Sequence, residues 1–565
     1  MINPWSHRES GTVYDYVIRN GLIVDGSGLP AFKGDLALSD GRIAVVGAVR
    51  GAGAVEFDAG GRVVAPGFID PHTHFDAQLL WDGAARPALE HGITTVVPGN
   101  CSLSLAPLRI ADREALSGMF RQIEELPKES LDGSAFTWTW ESFDGYLDAL
   151  RRTLKINVAP LVGHSVIRLW VMGEAANQRA ATAEEQAAMQ GLLRACLEAG
   201  AVGLSTSYVD VDANLHPVPS RFAHSDELDG LAAVLGEFGR VLQVVPEFYN
   251  TDITIARVDQ LAELSLRYNI TTTFSPLFDS ANTPDNVSRV MARVREQVRR
   301  GARVWPQVQT RPIDISFSLD LPSLFFAGNP PWYHAMRLPR PERLRLLKDA
   351  THQARLVAAA GADGGDAWLG SLILRQLPGD NEGLEGRTLR EIANSRGQGS
   401  AQTLIELSLE HDLQAHFLAA NRGHEIPERV GPLLADPLVH IGASDGGAHI
   451  CSFSTYGDTG YLFSKFVRET GLLSLEQAVK KITLDTASIW GLPNRGLLRA
   501  GYAADVVVFD PDTIDRGPER AVSDVPGGGM RYVRDSVGVD AVFVNGMLAW
   551  DRGGYKDASV GSIVT

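Results

Sequence analysis

Through the middle of the chain, short apolar runs alternate with amphipathic helical patterns, while both ends are rich in strand patterns. This predicts an α/β fold: a TIM-type (β/α)8 barrel with a small β-sandwich domain built from both termini. The length of 565 residues supports the division, because a single core rarely serves so long a chain. The expected boundaries are 1–64 with 490–565 for the small domain, and 65–489 for the barrel.

Near the N-terminus, segments 14–20, 21–24, 34–38 and 42–46 read as strands, with Asp25-Gly26-Ser27-Gly28 as a turn cluster. Segments 504–509 and 541–546 repeat that character at the other end. Between them, barrel strands are expected at 62–70, 94–98, 157–163, 203–205, 241–246, 271–276, 303–307 and 439–443. Thr182 as N-cap, Glu185 three residues on and Gly200 at the end outline one intervening helix. Residues 311–438 break the rhythm, first with prolines (Pro322, Pro330, Pro331, Pro339, Pro341) and then with helical patterns. They read as an insertion between the last two strands, placed to act as a lid over the barrel mouth.

Composition narrows the function. Hydrophobic content of 44% and charged content of 21% describe a soluble globular protein. A net charge of −16 argues against nucleic acid, whose binding face needs clustered Lys and Arg, and more weakly against anionic membranes. No apolar run is long enough to span a bilayer. Three cysteines, Cys101, Cys196 and Cys451, cannot build a disulfide framework, which points to a reducing compartment. The first 20 residues are polar with no apolar signal segment, so a cytoplasmic location is expected.

The most informative stretch is Val63-Val64-Ala65-Pro66-Gly67-Phe68-Ile69-Asp70-Pro71-His72-Thr73-His74. Strand side chains alternate faces, so His72 and His74 point the same way. Two imidazoles leaving one strand end form half of a divalent metal site. Other strings extend the pattern: His91-Gly92-Ile93-Thr94-Thr95-Val96-Val97-Pro98-Gly99-Asn100-Cys101, Leu161-Val162-Gly163-His164, Gly442-Ala443-Ser444-Asp445-Gly446 and Arg495-Gly496-Leu497-Leu498-Arg499-Ala500-Gly501-Tyr502-Ala503-Ala504-Asp505. With them, the chain resembles the amidohydrolase superfamily in its N-acyl-D-amino-acid deacylase (D-aminoacylase) branch.

The resemblance implies a barrel hydrolase that uses one or two divalent ions. Asp445, at the end of the last strand, matches the family's proton shuttle, which often also touches the metal. Cys101 matches a metal ligand that stands where other amidohydrolases use a modified lysine, and its thiolate suits zinc. The implied metal set is therefore His72, His74, Cys101 and Asp445. D-aminoacylases carry two further histidines after the fifth and sixth strands. Here those strands read Val241-Leu242-Gln243-Val244-Val245-Pro246-Glu247-Phe248 and Thr271-Thr272-Thr273-Phe274-Ser275-Pro276-Leu277-Phe278, with Pro276 where a histidine is expected. Three outcomes follow: one ion held by the four residues named, Glu247 substituting for a histidine, or a site too poor to bind metal.

His164 and His449 are candidates to orient substrate, stabilise an oxyanion or ligate. His91 and His224 read as structural. Gln307, Gln309 and Arg311 alternate onto one face, and Arg311 can clamp a substrate carboxylate or serve as a loop salt bridge. Phe325, Phe326, Trp332 and Tyr333 read as lid packing or as an apolar substrate wall. The expected activity is metal-dependent hydrolysis of a non-peptide C–N bond in a small-molecule amide. Asp445 would act as general base and then acid. N-acyl-D-amino acids are the implied substrates. The alternatives are a cyclic amide or imide, or a degraded scaffold on the same fold. Barrels of this kind commonly assemble, so a homo-oligomer is expected.

Overall fold

Eight parallel strands organise the central part of the chain. They are β1 (Phe68–Asp70), β2 (Ile93–Val96), β3 in two pieces (Asn157–Val158 and Leu161–Gly163), β4 (Gly203–Ser207), β5 (Val241–Val245), β6 (Thr271–Phe274), β7 (Val304–Val308) and β8 (His440–Ile441). The computed structural model describes residues 13–565 apart from 128–129, 132–135, 213–214, 282, 321–323, 327, 362–367, 380–382, 443 and 452. The last residue of the strand expected at 439–443 therefore lies outside the described residues, as do the first 12 residues of the polar N-terminal stretch.

The strands hydrogen-bond in two arcs. β1, β2 and the first piece of β3 form one; the second piece of β3 through β8 form the other, in chain order. Two seams join them. At β3, Ala159 N–H donates to Val96 O (2.9 Å) and Leu161 N–H to Pro98 O (2.9 Å), which holds both pieces beside β2. At the other seam Thr73 pairs in parallel with Gly446, just beyond β1 and β8. The sequence of β4 and β5 explains their central place, since both are buried along their length, as strands covered on both faces must be. Helices cover the arcs. The helix Ala183–Ala199 starts with the full capping box of Thr182 and Glu185 and stops at Gly200.

The strand expected at 62–70 is two strands. Val63–Pro66 belongs to the small domain, where it pairs with Val506–Phe509, and only Phe68–Asp70 enters the central arc. Gly67 is the hinge. A Cβ there would stand 2.2 Å from Thr94 Oγ1, so only glycine lets the chain pass that close to β2. The small domain is a nine-stranded sheet that joins the two ends of the chain through this pairing. One face packs Ile18, Leu36, Val64, Val508 and Phe543 into a cluster of its own. The other face contributes Val63, Val507 and Val542 to the main core.

The stretch 311–438 folds around its own core. Ile315–Ser318, His416–Ala419 and Ile373–Gln376 form a three-stranded antiparallel sheet. Phe317, Phe326, Trp332, Leu404 and Phe417 pack beneath it. Pro330 and Pro331 sit in the first turn of the helix Pro330–Arg337, where proline costs no hydrogen bond. A hairpin the sequence did not suggest, Asp515–Val525 with Gly529–Val537, leaves the C-terminal segment and reaches the loop after β8. There Tyr532 N–H donates to Ile450 O (2.8 Å) and Ser454 N–H to Glu519 Oε2 (2.7 Å). Among the described residues, no helix is long and apolar enough to cross a membrane.

The separate core of the insertion has a measurable consequence. Trp332 is buried, stacks on Phe326 at 4.8 Å and donates Nε1–H to Leu356 O. Trp332→Ala is expected to cost about 3–5 kcal/mol locally. Hydrogen exchange should accelerate across 315–419, while metal content stays at the wild-type value.

Candidate metal centre

The site forms where β1, β2 and β8 end. His72 and His74 leave β1 after Pro71, with ring centroids 5.4 Å apart. Cys101 lies beyond β2, with Sγ 3.5 Å from His72 Nε2 and 3.8 Å from His74 Nε2. Asp445 comes from the far end of the chain, and its Oδ1 is 3.5 Å from His72 Nε2 and 3.3 Å from His74 Nε2. The ligand atoms of His72, His74 and Cys101 all lie within 4.8 Å of one another. The structure thus brings together the four residues expected to hold metal.

Local backbone places each donor. Cys101 and Ser102 both have left-handed φ values, +53° and +70°. Each costs about 1 kcal/mol for a non-glycine residue, so something must hold them. Ser205 does, since its hydroxyl donates to Gly99 O (2.5 Å) and accepts from Ser102 N–H (3.0 Å). Asp445 is also left-handed, at +64°. Its N–H donates to His72 O (3.2 Å), and His74 N–H donates to Gly446 O (2.8 Å). Ser444 Oγ–H donates to Asp70 Oδ2 (2.5 Å).

Electrostatics separate the two histidines. Burial holds His72 down to about 4, so its ring is neutral near pH 7. Its Nδ1 contacts Gln307 Oε1 at 2.9 Å, which fixes the proton there and leaves the Nε2 lone pair facing Cys101 and Asp445. For His74, burial also opposes charge, but buried Glu124, with Oε1 2.9 Å from Nδ1, lifts it above the usual range. Burial pushes the Cys101 thiol up. An arriving cation must therefore displace protons from His74 and Cys101. Burial alone would raise Asp445, yet the hydrogen bond from His74 and the charges of His72, His74 and His449 hold it below the ordinary carboxylate range. Two imidazole nitrogens, a sulfur and a carboxylate oxygen form a donor set that fits a tetrahedral divalent ion such as zinc.

Several expected roles change. Glu247 does not replace a missing histidine, because Arg257 holds both of its oxygens, at 2.9 and 2.8 Å. The loops after β5 and β6, where the resemblance implied histidines, place Phe248 against Phe278 (5.9 Å). His164 is not presented to substrate. Its Nδ1 meets Thr206 Oγ1 (2.9 Å) and its Nε2 meets Glu227 Oε1 (2.7 Å), in a buried network that includes Arg168. Arg311 does not offer an open clamp. Its Nε donates to Asp458 Oδ1 (2.8 Å) and its Nη2 to Ser444 O (2.9 Å), which ties the Asp445 loop to β7. Phe326 and Trp332 pack inside the insertion. His449 does stand at the site, with Nε2 3.9 Å from Asp445 Oδ2 and Nδ1 3.4 Å from Glu125 Oε1. Against the effect of burial, these carboxylates lift it to about 9. His91 is structural, bonded to Arg534 O (3.0 Å), and His224 precedes the helix Ser225–Phe238.

Sequence reasoning missed Glu124, Glu125 and Asp210. Glu124 and Glu125 follow the helix Arg113–Ile123 and read as an ordinary charged helix end. Asp210, beyond β4, keeps a buried Oδ2 without a partner, and burial raises its carboxyl to about 6.

Comparison with known proteins agrees with this architecture. The amidohydrolase family matches residues 55–305 and 342–548, and the chain belongs to that family. A D-aminoacylase of Alcaligenes xylosoxydans xylosoxydans is 30% identical over 98% of this chain and 97% of its own. The crystal structure of an N-acyl-D-glutamate deacylase from Bordetella bronchiseptica, complexed with zinc and a phosphonate inhibitor, superposes with a TM-score of 0.68 at 28% identity, covering 98% of this chain and 100% of the other. A D-aminoacylase structure with a binuclear metal centre gives a TM-score of 0.66 at 26% identity, with 98% and 100% covered. The protein is thus an amidohydrolase that acts on carbon–nitrogen bonds other than peptide bonds, with a divalent metal.

Gln307 tests the centre from outside it. Gln307→Met keeps the volume but removes the acceptor for His72 Nδ1–H. Metal affinity should fall about 10- to 100-fold in competition with a chromophoric chelator, with an unchanged circular dichroism spectrum.

Proposed function

We propose that this protein is a zinc-dependent N-acyl-D-amino-acid deacylase with a single-ion centre. The observation that carries the reading is the convergence of His72, His74, Cys101 and Asp445 at the ends of three parallel strands. The full-length similarity to D-aminoacylases and related deacylases supports the substrate class. The eight parallel strands and their two seams support a (β/α)8 barrel with its site at the C-terminal strand ends. Loss of the histidines after β5 and β6, with Glu247 and His164 engaged elsewhere, leaves donors for one ion.

When bound, the ion supplies a water of lowered pKa and polarisation of the scissile carbonyl. The protein's own groups do the rest. His72 and His74 would hold it through their imidazoles, with Gln307 Oε1 orienting the His72 ring and the Glu124 carboxylate beside His74. Asp445 stays ionised beside the two imidazoles, so it can accept a proton from the attacking water. The same carboxyl then returns that proton to the leaving nitrogen, which departs as an amine.

Elemental analysis of protein purified without chelators should find about one zinc per chain. Screened against N-acyl-D-amino acids, their L-enantiomers and cyclic imides, the protein should release acid only from the D-substrates. Chelation should abolish turnover and zinc should restore it. Asp445→Asn should lower kcat by about 10²- to 10⁴-fold. Full activity of metal-free protein, or hydrolysis of imides alone, overturns the reading.

A further inference from the structure

The end of β4 stands against the loop that carries Cys101. Ser205, in that strand, bonds Gly99 O and Ser102 N–H, before and after the cysteine. Beyond the strand, Ser207 Oγ accepts from Val209 N–H and Asp210 N–H, each at 3.2 Å, and turns the chain sharply. Val218 N–H (3.3 Å) and Arg221 Nη1–H (3.3 Å) both donate to Asp210 O. Val211 pairs antiparallel with Pro217. Asp210 is thus held by its own backbone, which leaves the carboxyl free for other work.

Charge coupling locates that carboxyl. The Asp210 charge raises the Cys101 thiol, and the charges of His74, Glu124 and Asp445 act in turn on Asp210. Charge interactions fall off with distance, so a group coupled to all of these lies beside the metal centre. It is not among the ligand atoms of His72, His74 and Cys101 that lie within 4.8 Å of one another. Its place is therefore next to the ion site and outside it. Ser207 hydrogen-bonds the carboxyl, while Oδ2 is buried with no partner. Burial raises the group to about 6, against the pull of Ser207 and His74, so it is ionised near pH 7. An ionised carboxylate can only accept, and a buried oxygen without a donor is unfavourable. The complement is a substrate N–H. An N-acyl amino acid with an apolar side chain has one such group at neutral pH, on the nitrogen of the bond to be cut.

We propose that Asp210 is a substrate-binding residue whose free carboxylate oxygen accepts the N–H of the scissile amide. This rests on the deacylase reading and names a contact that reading leaves open.

The test compares wild type, Asp210→Ala and Asp210→Asn on an N-acyl-D-amino acid with an apolar side chain and on the matching O-acyl-D-hydroxy acid, in which oxygen replaces N–H. Asp210→Ala should lower kcat/KM for the amide about 10-fold or more and change that for the ester by less than about 3-fold. Zinc content should stay at the wild-type value. Asp210→Asn keeps an acceptor and should recover part of the loss. Equal kcat/KM for the amide in wild type and Asp210→Ala overturns the proposal, as does an equal loss on both substrates, the mark of a purely structural role. Should the alanine variant fail to fold, or the ester not turn over, two inhibitors decide with wild type and Asp210→Asn. A phosphonamidate presents P–NH where the matching phosphonate ester presents P–O. It should bind wild type about 10-fold or more tighter than the ester, with a narrower gap in Asp210→Asn. Equal inhibition of wild type by the two, or an unchanged gap in Asp210→Asn, overturns the proposal. A wild type inactive on every N-acyl amino acid overturns the deacylase reading instead.

Discussion

The seam between β1 and β8 is the constraint on which the site depends. Parallel strands meet there through few ladder bonds, and the residues that follow them take over the joining. Asp445 N–H reaches His72 O, His74 N–H reaches Gly446 O, and Ser444 reaches the Asp70 carboxyl. Each bond spans about two thirds of the chain. They stitch a carboxylate from the last strand to two imidazoles from the first, so closing the sheet and assembling the ligand set are one event. Arg311 extends the stitch to β7 through Ser444 O and Asp458. The Asp70 carboxyl, raised to about 7 by burial, is held in this seam by Ser444 Oγ–H and His72 N–H.

The centre is built against the preferences of its own parts. Two donors, His72 and His74, are buried, two others sit on left-handed backbone, and carboxylates crowd around His74. Without a cation these groups repel one another or carry protons that burial disfavours. A divalent ion reverses each of those terms by neutralising the carboxylates and replacing the protons on His74 and Cys101. The charge balance around the imidazoles is thus an argument for a bound cation that is independent of family resemblance. It also explains why Gln307 and Glu124 stand behind the ligands. A histidine that must present Nε2 needs its Nδ1 proton fixed, which Gln307 Oε1 does for His72, while the Glu124 carboxylate acts on His74 through its charge.

Much of this was legible in the sequence, and the reasons are local. His72 and His74 are read from strand alternation, and the Ala183–Ala199 helix from its capping box. The β5 run, Val-Leu-Gln-Val-Val, is apolar enough to find from its residues alone. The failures are equally local. The run from Val63 to Asp70 is apolar throughout, so periodicity could not show that Gly67 divides it between two sheets. Arg311 and His164 look like free functional groups in one dimension. Their partners, Asp458 and Glu227, lie 147 and 63 residues away, and no spacing rule links them. Glu124 looks like a solvated helix end because its burial comes wholly from tertiary packing.

The β5 and β6 loops show what family resemblance does and does not transfer. Strand positions, the β1 histidines and the β8 carboxylate are joined through the hydrogen bonds of the seam. The β5 and β6 loops lie outside it. The resemblance implied histidines there, and the loops instead carry Phe248, Phe278 and an arginine-paired Glu247. Asp210, in the loop after β4, keeps a buried Oδ2 without a hydrogen-bond partner. The ligand set is therefore fixed by the seam, while the loops after β5 and β6 are held by contacts of their own.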